Sequence, residues 1–133
     1  TGVGDEVWVV CELTPPGSLR ECLRRAPRAL SDGAKRRILS EVAGGMAYLH
    51  SLDIQHRNLK ASNVFLASDT TAKISDFGLS RTVAALTGTE TGRRWQETAP
   101  WSAPEILQRE GYVKESDVYS FGVVVWEILT EEV

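Results

Sequence analysis

Three short motifs in a fixed order constrain this chain more than any other feature. Residues 56–63 read His-Arg-Asn-Leu-Lys-Ala-Ser-Asn, Asp76-Phe77-Gly78 follows after a strand-like stretch, and Ala103-Pro104-Glu105 comes last. Asn63 and Asp76 carry amide and carboxylate oxygens, which are the ligands that Mg²⁺ prefers. The two short β-like runs between them, 64–66 and 72–74, read as a hairpin that can bring these oxygens together.

The order and spacing of these motifs resemble the catalytic loop, the metal-binding turn and the end of the activation segment of eukaryotic protein kinases. The resemblance covers nearly the whole chain. It implies an α+β fold, made of a hinge and a mostly helical large lobe and truncated at both ends. Residues 1–17 are then the end of the small lobe and the hinge, and residues 18–133 the large lobe through the first helix after the activation segment.

The same resemblance implies ATP-dependent phosphoryl transfer to Ser or Thr of a protein substrate, with ATP and Mg²⁺ as cofactors. By this resemblance, Asp76 bridges one metal ion to the phosphates and Asn63 holds a second. Lys60 lies near the transferred phosphate; the alternative interpretation is a solvated surface lysine. Lys60 and Thr98 favour a serine/threonine kinase. Tyrosine kinases usually carry Ala or Arg at the position of Lys60 and Pro at the position of Thr98. Trp101 and the run 117–122 are similar to the tyrosine-kinase-like group.

Asn58 departs from the family pattern, which has Asp after His-Arg. That Asp accepts the proton of the substrate hydroxyl. Asn nearly matches its shape and accepts a hydrogen bond, but it takes no proton at neutral pH. Three readings stay open: an impaired enzyme, a pseudokinase that binds nucleotide or a signalling partner, or a fragment without activity of its own.

The remaining site residues are also assigned by resemblance. His56 and Phe77 stack in an apolar spine, and Arg57 grips a phosphate on the activation loop or forms a surface ion pair. Asp117 accepts backbone N–H bonds near His56 and Arg57, and Glu105 pairs with a later helix. The other assignments are the gatekeeper Cys11, the hinge residues Glu12, Leu13 and Thr14, the pocket floor Phe65, the turn residue Gly78, and the candidate phosphate acceptors Thr87, Thr89 and Thr91; Cys11 and Phe65 also fit plain core positions.

Composition narrows the class of protein. The chain has 133 residues and a net charge of −3, with a pI of about 5.4, so neither nucleic acid nor an anionic membrane is the expected partner. No apolar run approaches the roughly 18 residues of a membrane span. Cys11 and Cys22 lack metal-ligand spacing, which favours reduced thiols and a cytoplasmic protein.

Local patterns predict the elements. Ser18 and Glu21 form a capping-box pattern for a helix to about Arg25, and Ser31 precedes an amphipathic helix to about Leu52. Gly44-Gly45 within that helix predicts close packing against another backbone. Ser116 is the predicted cap of a last helix, apolar nearly all round over 118–129 and therefore buried, but a source of exposed apolar surface where its covering helices are absent. Residues 7–11 read as a strand, 68–71 as a turn and 79–100 as a long loop.

Overall fold

The computed structural model describes residues 12–67, 71–77 and 99–132. Within these residues the chain forms four α-helices, a two-stranded antiparallel hairpin and two single 3₁₀ turns at Ala61–Asn63 and Ala99–Trp101. The predicted strand 7–11, most of the turn 68–71 and the loop 79–98 lie outside these residues. The elements are α1 (Leu19–Arg25), α2 (Asp32–Ser51), β1 (Val64–Leu66), β2 (Ala72–Ile74), α3 (Pro104–Leu107) and α4 (Lys114–Thr130).

Helix α1 begins at the predicted capping box. The Ser18 hydroxyl accepts the Glu21 N–H at 3.3 Å, and the Glu21 carboxylate accepts the Ser18 N–H at 2.9 Å. Gly17 precedes the cap with φ of +86°, a backbone conformation that glycine adopts without steric cost. The Gly17 N–H donates to the Thr14 carbonyl at 2.9 Å and closes a turn directly before the helix.

Helix α2 forms the centre of the core. Ser31 caps it through the Ala34 N–H at 3.2 Å, as predicted. The side chains of Ile38, Val42, Met46 and Leu49 are buried, which confirms the helical period that predicted them. They pack with residues of α1, β1 and α4 in one cluster, which also includes Leu19, Leu23, Leu59, Ala61, Val64, Leu66, Val124 and Ile128.

The prediction that Gly44-Gly45 packs closely against another backbone was wrong. A Cβ at Gly45 would lie 2.7 Å from Cδ1 of Ile74, so the close neighbour is a side chain of β2 rather than a backbone. A Cβ at Gly44 would meet no atom of the described residues within 4 Å. Only one of the two glycines is therefore explained by packing.

The hairpin has the predicted strands. β1 and β2 pair antiparallel, with Val64 opposite Ile74 and Leu66 opposite Ala72. The Leu66 N–H also donates to the Gly17 carbonyl at 3.0 Å, so the hairpin is tied to the start of α1. This register places Asn63, the residue before β1, opposite Ser75, the residue after β2.

Helix α4 starts earlier than predicted. Its N-cap is Val113 and its first helical residue Lys114, so Ser116 lies in the first turn rather than at the cap. The Ser116 hydroxyl accepts the Val113 N–H at 3.3 Å and donates to Glu105 at 2.6 Å. A serine in the first turn thus satisfies the orphan N–H of an apolar cap residue.

One face of α4 is buried, and the exposed apolar surface that the sequence predicts on this helix is confirmed. The buried residues of the helix are Ser116, Asp117, Ser120, Val124, Glu127 and Ile128. Val118, Tyr119, Trp126 and Leu129 are 45–61% exposed. None of the described helices is long and apolar enough to cross a membrane.

Candidate active site

Asp117 organises the start of the 56–63 loop. Its side chain is fully buried, and its carboxylate accepts the N–H groups of His56 and Arg57, each at 2.9 Å. His50 Nε2 lies 2.8 Å from the same carboxylate, and the Tyr112 hydroxyl donates to it at 2.5 Å. The predicted contact between Asp117 and the loop is confirmed, and four hydrogen-bonding partners make the burial of this charge tolerable.

These bonds set the ionisation of the group. Burial alone raises the pKa of Asp117, but the hydrogen bonds from Tyr112, His50 and the two backbone N–H groups together lower the pKa below its ordinary value. The pKa of Tyr112 is raised, first by burial and then by its bond to the carboxylate. Asp117 is therefore a stable anion that holds the loop by charge-assisted hydrogen bonds.

His56 and Asn58 are linked within the loop. His56 is fully buried, and its Nδ1 accepts the Asn58 N–H at 3.3 Å. Burial lowers the pKa of His56, although the charge of Asp117 partly opposes this, so the imidazole is neutral and sequestered rather than placed as a general base. Asn58 Oδ1 is buried and has no hydrogen-bond partner among the described residues.

Asn63 and Asp76 meet at the open end of the hairpin, as the sequence predicted. The Asn63 carbonyl accepts the Ser75 N–H at 2.9 Å, and Asp76 is the next residue. The Asn63 side-chain amide donates to the Asn58 carbonyl at 2.6 Å. The hairpin therefore places the backbone of Asn63 beside Ser75, the residue before Asp76, and the Asn63 amide links this end of the hairpin to Asn58.

Two strained backbone positions lie in this site. Arg57 has φ of +67° and Asp76 has φ of +61°, which residues other than glycine rarely adopt. Such conformations persist only where the surrounding contacts fix them, and they are common at functional sites. Here the Arg57 N–H is fixed by Asp117, and Asp76 directly follows the bond between Ser75 and Asn63.

The donors at the hairpin end fit a hard divalent cation. Asn63 is buried with its amide N–H committed to the Asn58 carbonyl, so its side-chain oxygen is turned away from that bond. The Asp76 side chain is exposed next to it. No group of three or more His, Cys, Asp or Glu side chains is arranged for a metal in the described ranges. One carboxylate and one amide suit Mg²⁺, which keeps waters and phosphate oxygens as its other ligands.

The two cationic residues of the loop each lie beside an aromatic ring. The Lys60 ammonium lies 5.7 Å from the centre of the Trp101 ring, a cation–π distance. The Arg57 guanidinium binds Gln55 Oε1 at 2.6 and 3.1 Å and lies 5.4 Å from the Tyr112 ring. Arg57 forms no ion pair with a described residue. Its binding to a phosphate stays a prediction.

Glu127 is a site residue that the sequence reasoning missed. It is buried, and its Oε2 accepts the Ala61 N–H at 3.0 Å and the Trp101 indole N–H at 2.9 Å. The available signal was a single carboxylate within an apolar helix, three turns after Asp117, because a buried carboxylate needs partners. Glu127 joins the 56–63 loop to the segment that ends at Ala103.

That segment is held by the same face of α4. The Ser120 hydroxyl donates to the Trp101 carbonyl at 2.7 Å, and Glu105 accepts the Ser116 hydroxyl, which lowers the pKa of Glu105. Glu105 thus binds α4 among the described residues, and its expected pairing with a later helix stays a prediction. One helix face positions both the catalytic loop and the 99–107 segment.

Of the three predicted hinge residues, Glu12 contacts the hairpin. Glu12 forms an ion pair of 2.6 Å with Lys73, and Lys73 is the cross-strand partner of the half-buried Phe65. Leu13 is 85% exposed, and the Thr14 carbonyl closes the turn at Gly17. Their contacts with adenine stay predictions.

Phe77 is 45% exposed while His56 is buried, so the apolar stack of these two residues also remains a prediction. The other predicted site residues lie outside the described ranges: Cys11, Gly78, Thr87, Thr89, Thr91 and Thr98.

Comparison with known proteins agrees with this geometry. The family model for protein tyrosine and serine/threonine kinases matches residues 2–132. A probable serine/threonine-protein kinase of Dictyostelium discoideum is 40% identical over 93% of the chain and 12% of its own length. A serine/threonine-protein kinase of Arabidopsis thaliana is 35% identical over 92% of the chain and 21% of its own length. The chain spans about a fifth or less of these relatives.

Proposed function

Because the chain belongs to the protein tyrosine and serine/threonine kinase family, we propose that it is the central part of a serine/threonine kinase domain. In this proposal the whole protein binds Mg²⁺ and ATP and transfers the terminal phosphoryl group to a Ser or Thr hydroxyl of a protein substrate. Residues 1–17 form the end of the small lobe and the hinge, and residues 18–133 the large lobe. The Ser/Thr kinases among its relatives and Lys60 support this choice over a tyrosine kinase.

The observation that carries the proposal is the state of Asn58. Its Oδ1 is a buried acceptor without a partner among the described residues, on a loop fixed by Asp117 at one end and by Glu127 at the other. A buried acceptor left unpaired is costly, so we infer that the Asn58 side chain turns its Oδ1 towards a substrate hydroxyl when the substrate binds. Asn58 then orients the hydroxyl without taking its proton.

The other residues act on charge and position. Mg²⁺, when bound, would neutralise charge on the phosphates, and Asn63 and Asp76 are the residues that would hold it. Lys60 places a positive charge near the transferred group. Because much of kinase catalysis is positioning and electrostatic stabilisation, the loss of the base leaves a slow reaction. Loss of a general base typically lowers the rate by about 10² to 10⁴.

A second candidate is a pseudokinase that binds nucleotide or a signalling partner and transfers nothing. Asn58 is the observation that favours it, since Asn is not a proton acceptor at neutral pH. In that case the ordered loop and hairpin serve binding alone, and phosphoryl transfer is absent at any enzyme concentration.

Radiolabel transfer from ATP by the full-length protein separates the two candidates. The impaired kinase gives slow Mg²⁺-dependent labelling of Ser or Thr, and Asp76→Ala abolishes both labelling and Mg²⁺-dependent nucleotide binding. Glu115→Ala, an exposed carboxylate on α4, is the matched control and keeps both. Nucleotide binding without any labelling identifies the pseudokinase, and binding indifferent to Mg²⁺ and to Asp76 removes these residues from the metal site.

A further inference from the structure

Lys60 and Trp101 are linked through Glu127 as well as by direct contact. The Lys60 ammonium lies 5.7 Å from the centre of the Trp101 ring, and the indole N–H donates to Glu127 Oε2 at 2.9 Å. The same oxygen accepts the N–H of Ala61, the residue directly after Lys60, at 3.0 Å. One buried carboxylate oxygen therefore fixes both the backbone beside Lys60 and the ring beside its ammonium.

The main chain of Trp101 is held by the same helix. Its carbonyl accepts the Ser120 hydroxyl at 2.7 Å, and Ser120 and Glu127 are both buried residues of α4. Because these contacts lie on the buried face of the helix, they do not depend on what covers its outer face. The Trp101 ring is therefore fixed, through its backbone and its indole N–H, by one rigid element.

An aromatic ring can hold a cation without cancelling its charge. The face of an indole is negative and attracts an ammonium group, although the ring has no net charge. The bond from the indole N–H to the Glu127 carboxylate polarises the ring and makes its face more negative. Residues 56–63 include no Asp or Glu, so the loop offers Lys60 no carboxylate of its own. Trp101 thus restrains a flexible side chain and leaves its charge available.

We propose that Trp101, oriented by Glu127, is a positioning residue that restrains the Lys60 ammonium where it neutralises charge on the transferred phosphoryl group. This inference rests on the proposed phosphoryl transfer and adds a residue to it. Electrostatic stabilisation is effective when the charged group is already in place as the transition state forms, and a small displacement lowers the rate strongly. Trp101 itself contacts neither the nucleotide nor the substrate; it acts through Lys60.

The alternative role of Trp101 is to join the 99–107 segment to α4 and nothing more. Two substitutions separate the roles. Trp101→Gln removes the ring but keeps an N–H donor the same number of bonds from Cα, so the side chain can still bind Glu127. Trp101→Phe keeps an aromatic face for Lys60 but has no N–H. Loss of function should follow the ring if Trp101 positions Lys60, and the N–H donor if it only joins the two segments.

Steady-state radiolabel transfer from ATP by the full-length protein is the first measurement. We expect Trp101→Gln to lower kcat by about tenfold or more with the KM for ATP unchanged, and Trp101→Phe to keep kcat within about threefold of the wild type. Tyr48→Gln removes an exposed ring of α2 and, as the matched control, should change neither constant.

The pair of residues should also act as a unit. In a Lys60→Ala background, Trp101→Gln should lower kcat little further, because the group that Trp101 positions is gone. The proposal would be overturned by an unchanged kcat in Trp101→Gln, by equal losses in Trp101→Gln and Trp101→Phe, or by the full loss from Trp101→Gln in the Lys60→Ala background.

Acylation of lysines by acetic anhydride, measured by peptide mass spectrometry, needs no kinase activity. Because only the neutral amine reacts, a ring that stabilises the ammonium slows the acylation of Lys60. In the wild type, Lys60 should react more slowly than Lys73, whose side chain is 41% exposed. Trp101→Gln should speed the reaction at Lys60 by about threefold and leave Lys73 unchanged.

Equal rates at Lys60 and Lys73 in the wild type would overturn the inference even if a variant fails to fold, and so would a rate at Lys60 that Trp101→Gln leaves unchanged. Phosphoryl transfer without this protection means that the inference alone fails. Protection without any phosphoryl transfer means that the proposed function fails, and with it the use of the contact in catalysis.

Discussion

At the scale of single residues, one carboxylate fixes the start of the 56–63 loop. Asp117 receives two backbone N–H bonds from the loop and two side-chain contacts, from His50 and Tyr112. A carboxylate has two oxygens that only accept, so it can serve four donors at once. No other side chain of this size offers that capacity, which explains why a charge is buried here.

Removing this carboxylate should destabilise the fold. Asp117→Ala leaves the N–H groups of His56 and Arg57 without an acceptor, at a cost of roughly 2–4 kcal/mol in the free energy of unfolding. Glu115→Ala, an exposed residue of the same helical turn, should change it by less than about 0.5 kcal/mol. Urea unfolding of both variants checks this, and equal midpoints would show that Asp117 does not hold the loop.

His56 should make stability depend on pH. Its folded-state pKa is lowered by burial, so below its unfolded pKa of about 6.5 the unfolded chain binds more protons than the folded chain. The free energy of unfolding should therefore fall as pH drops below about 6.5, by up to about 1.4 kcal/mol per pH unit. Denaturant unfolding at several pH values should show a smaller slope in His56→Leu; an unchanged slope would exclude His56 as the cause.

At the scale of elements, α4 organises the site. Its buried face presents Asp117 and Glu127 to the 56–63 loop and Ser116 and Ser120 to the 99–107 segment. These four polar residues recur at helical spacing, so one rigid element holds two irregular segments in register. Loops that carry function are positioned in this way by a scaffold.

The two glycines of α2 provide a test of local packing. Gly44→Ala should raise the free energy of unfolding by about 0.5–1 kcal/mol, since a Cβ there meets no described atom within 4 Å and alanine favours the helix. Gly45→Ala should gain less, because Ile74 must move to admit the new methyl group. Thermal unfolding of the two variants checks the order, and a larger gain at Gly45 would contradict the packing described here.

Sequence patterns predict these elements where side chains signal a cap or a period. Ser18 and Ser31 each precede their helices as caps, and the apolar period of α2 gives its core face. Ser116 was wrongly predicted as the N-cap of α4, because a serine occurs both at caps and in the first turn of a helix. The N-cap is Val113, whose apolar side chain does not mark it as a cap in the sequence. The role of Glu127 was not predicted, because its partners Ala61 and Trp101 are distant in the chain and no local sequence pattern indicates them.

At the scale of the molecule, the core joins α1, α2, the hairpin and α4, and this unit spans about a fifth or less of its relatives. The core side of α4 is covered, whereas Val118, Tyr119, Trp126 and Leu129 face outwards. Contiguous apolar surface of this kind drives association or marks a contact with further structure.

The 133-residue chain alone should therefore self-associate. Val118→Glu with Leu129→Glu places charges on side chains that are 61% and 60% exposed, and it should shift the chain towards monomer. Leu107→Glu, at a residue of α3 that is 57% exposed, is the matched control and should leave the association unchanged. Sedimentation velocity measures both, and a wild-type chain that stays monomeric at high concentration would contradict this account.

The central claim is that Asn58 orients the substrate hydroxyl but cannot take its proton. The measurement that tests it most directly is the turnover of the full-length protein with Asn58→Asp, which adds a proton acceptor with almost no change in volume. We predict a gain in kcat of about 10²-fold or more with ATP affinity little changed, as expected for a group that acts on the attacking hydroxyl. A wild-type protein that already turns over at about 1–100 s⁻¹, an ordinary kinase rate, would contradict the role of Asn58.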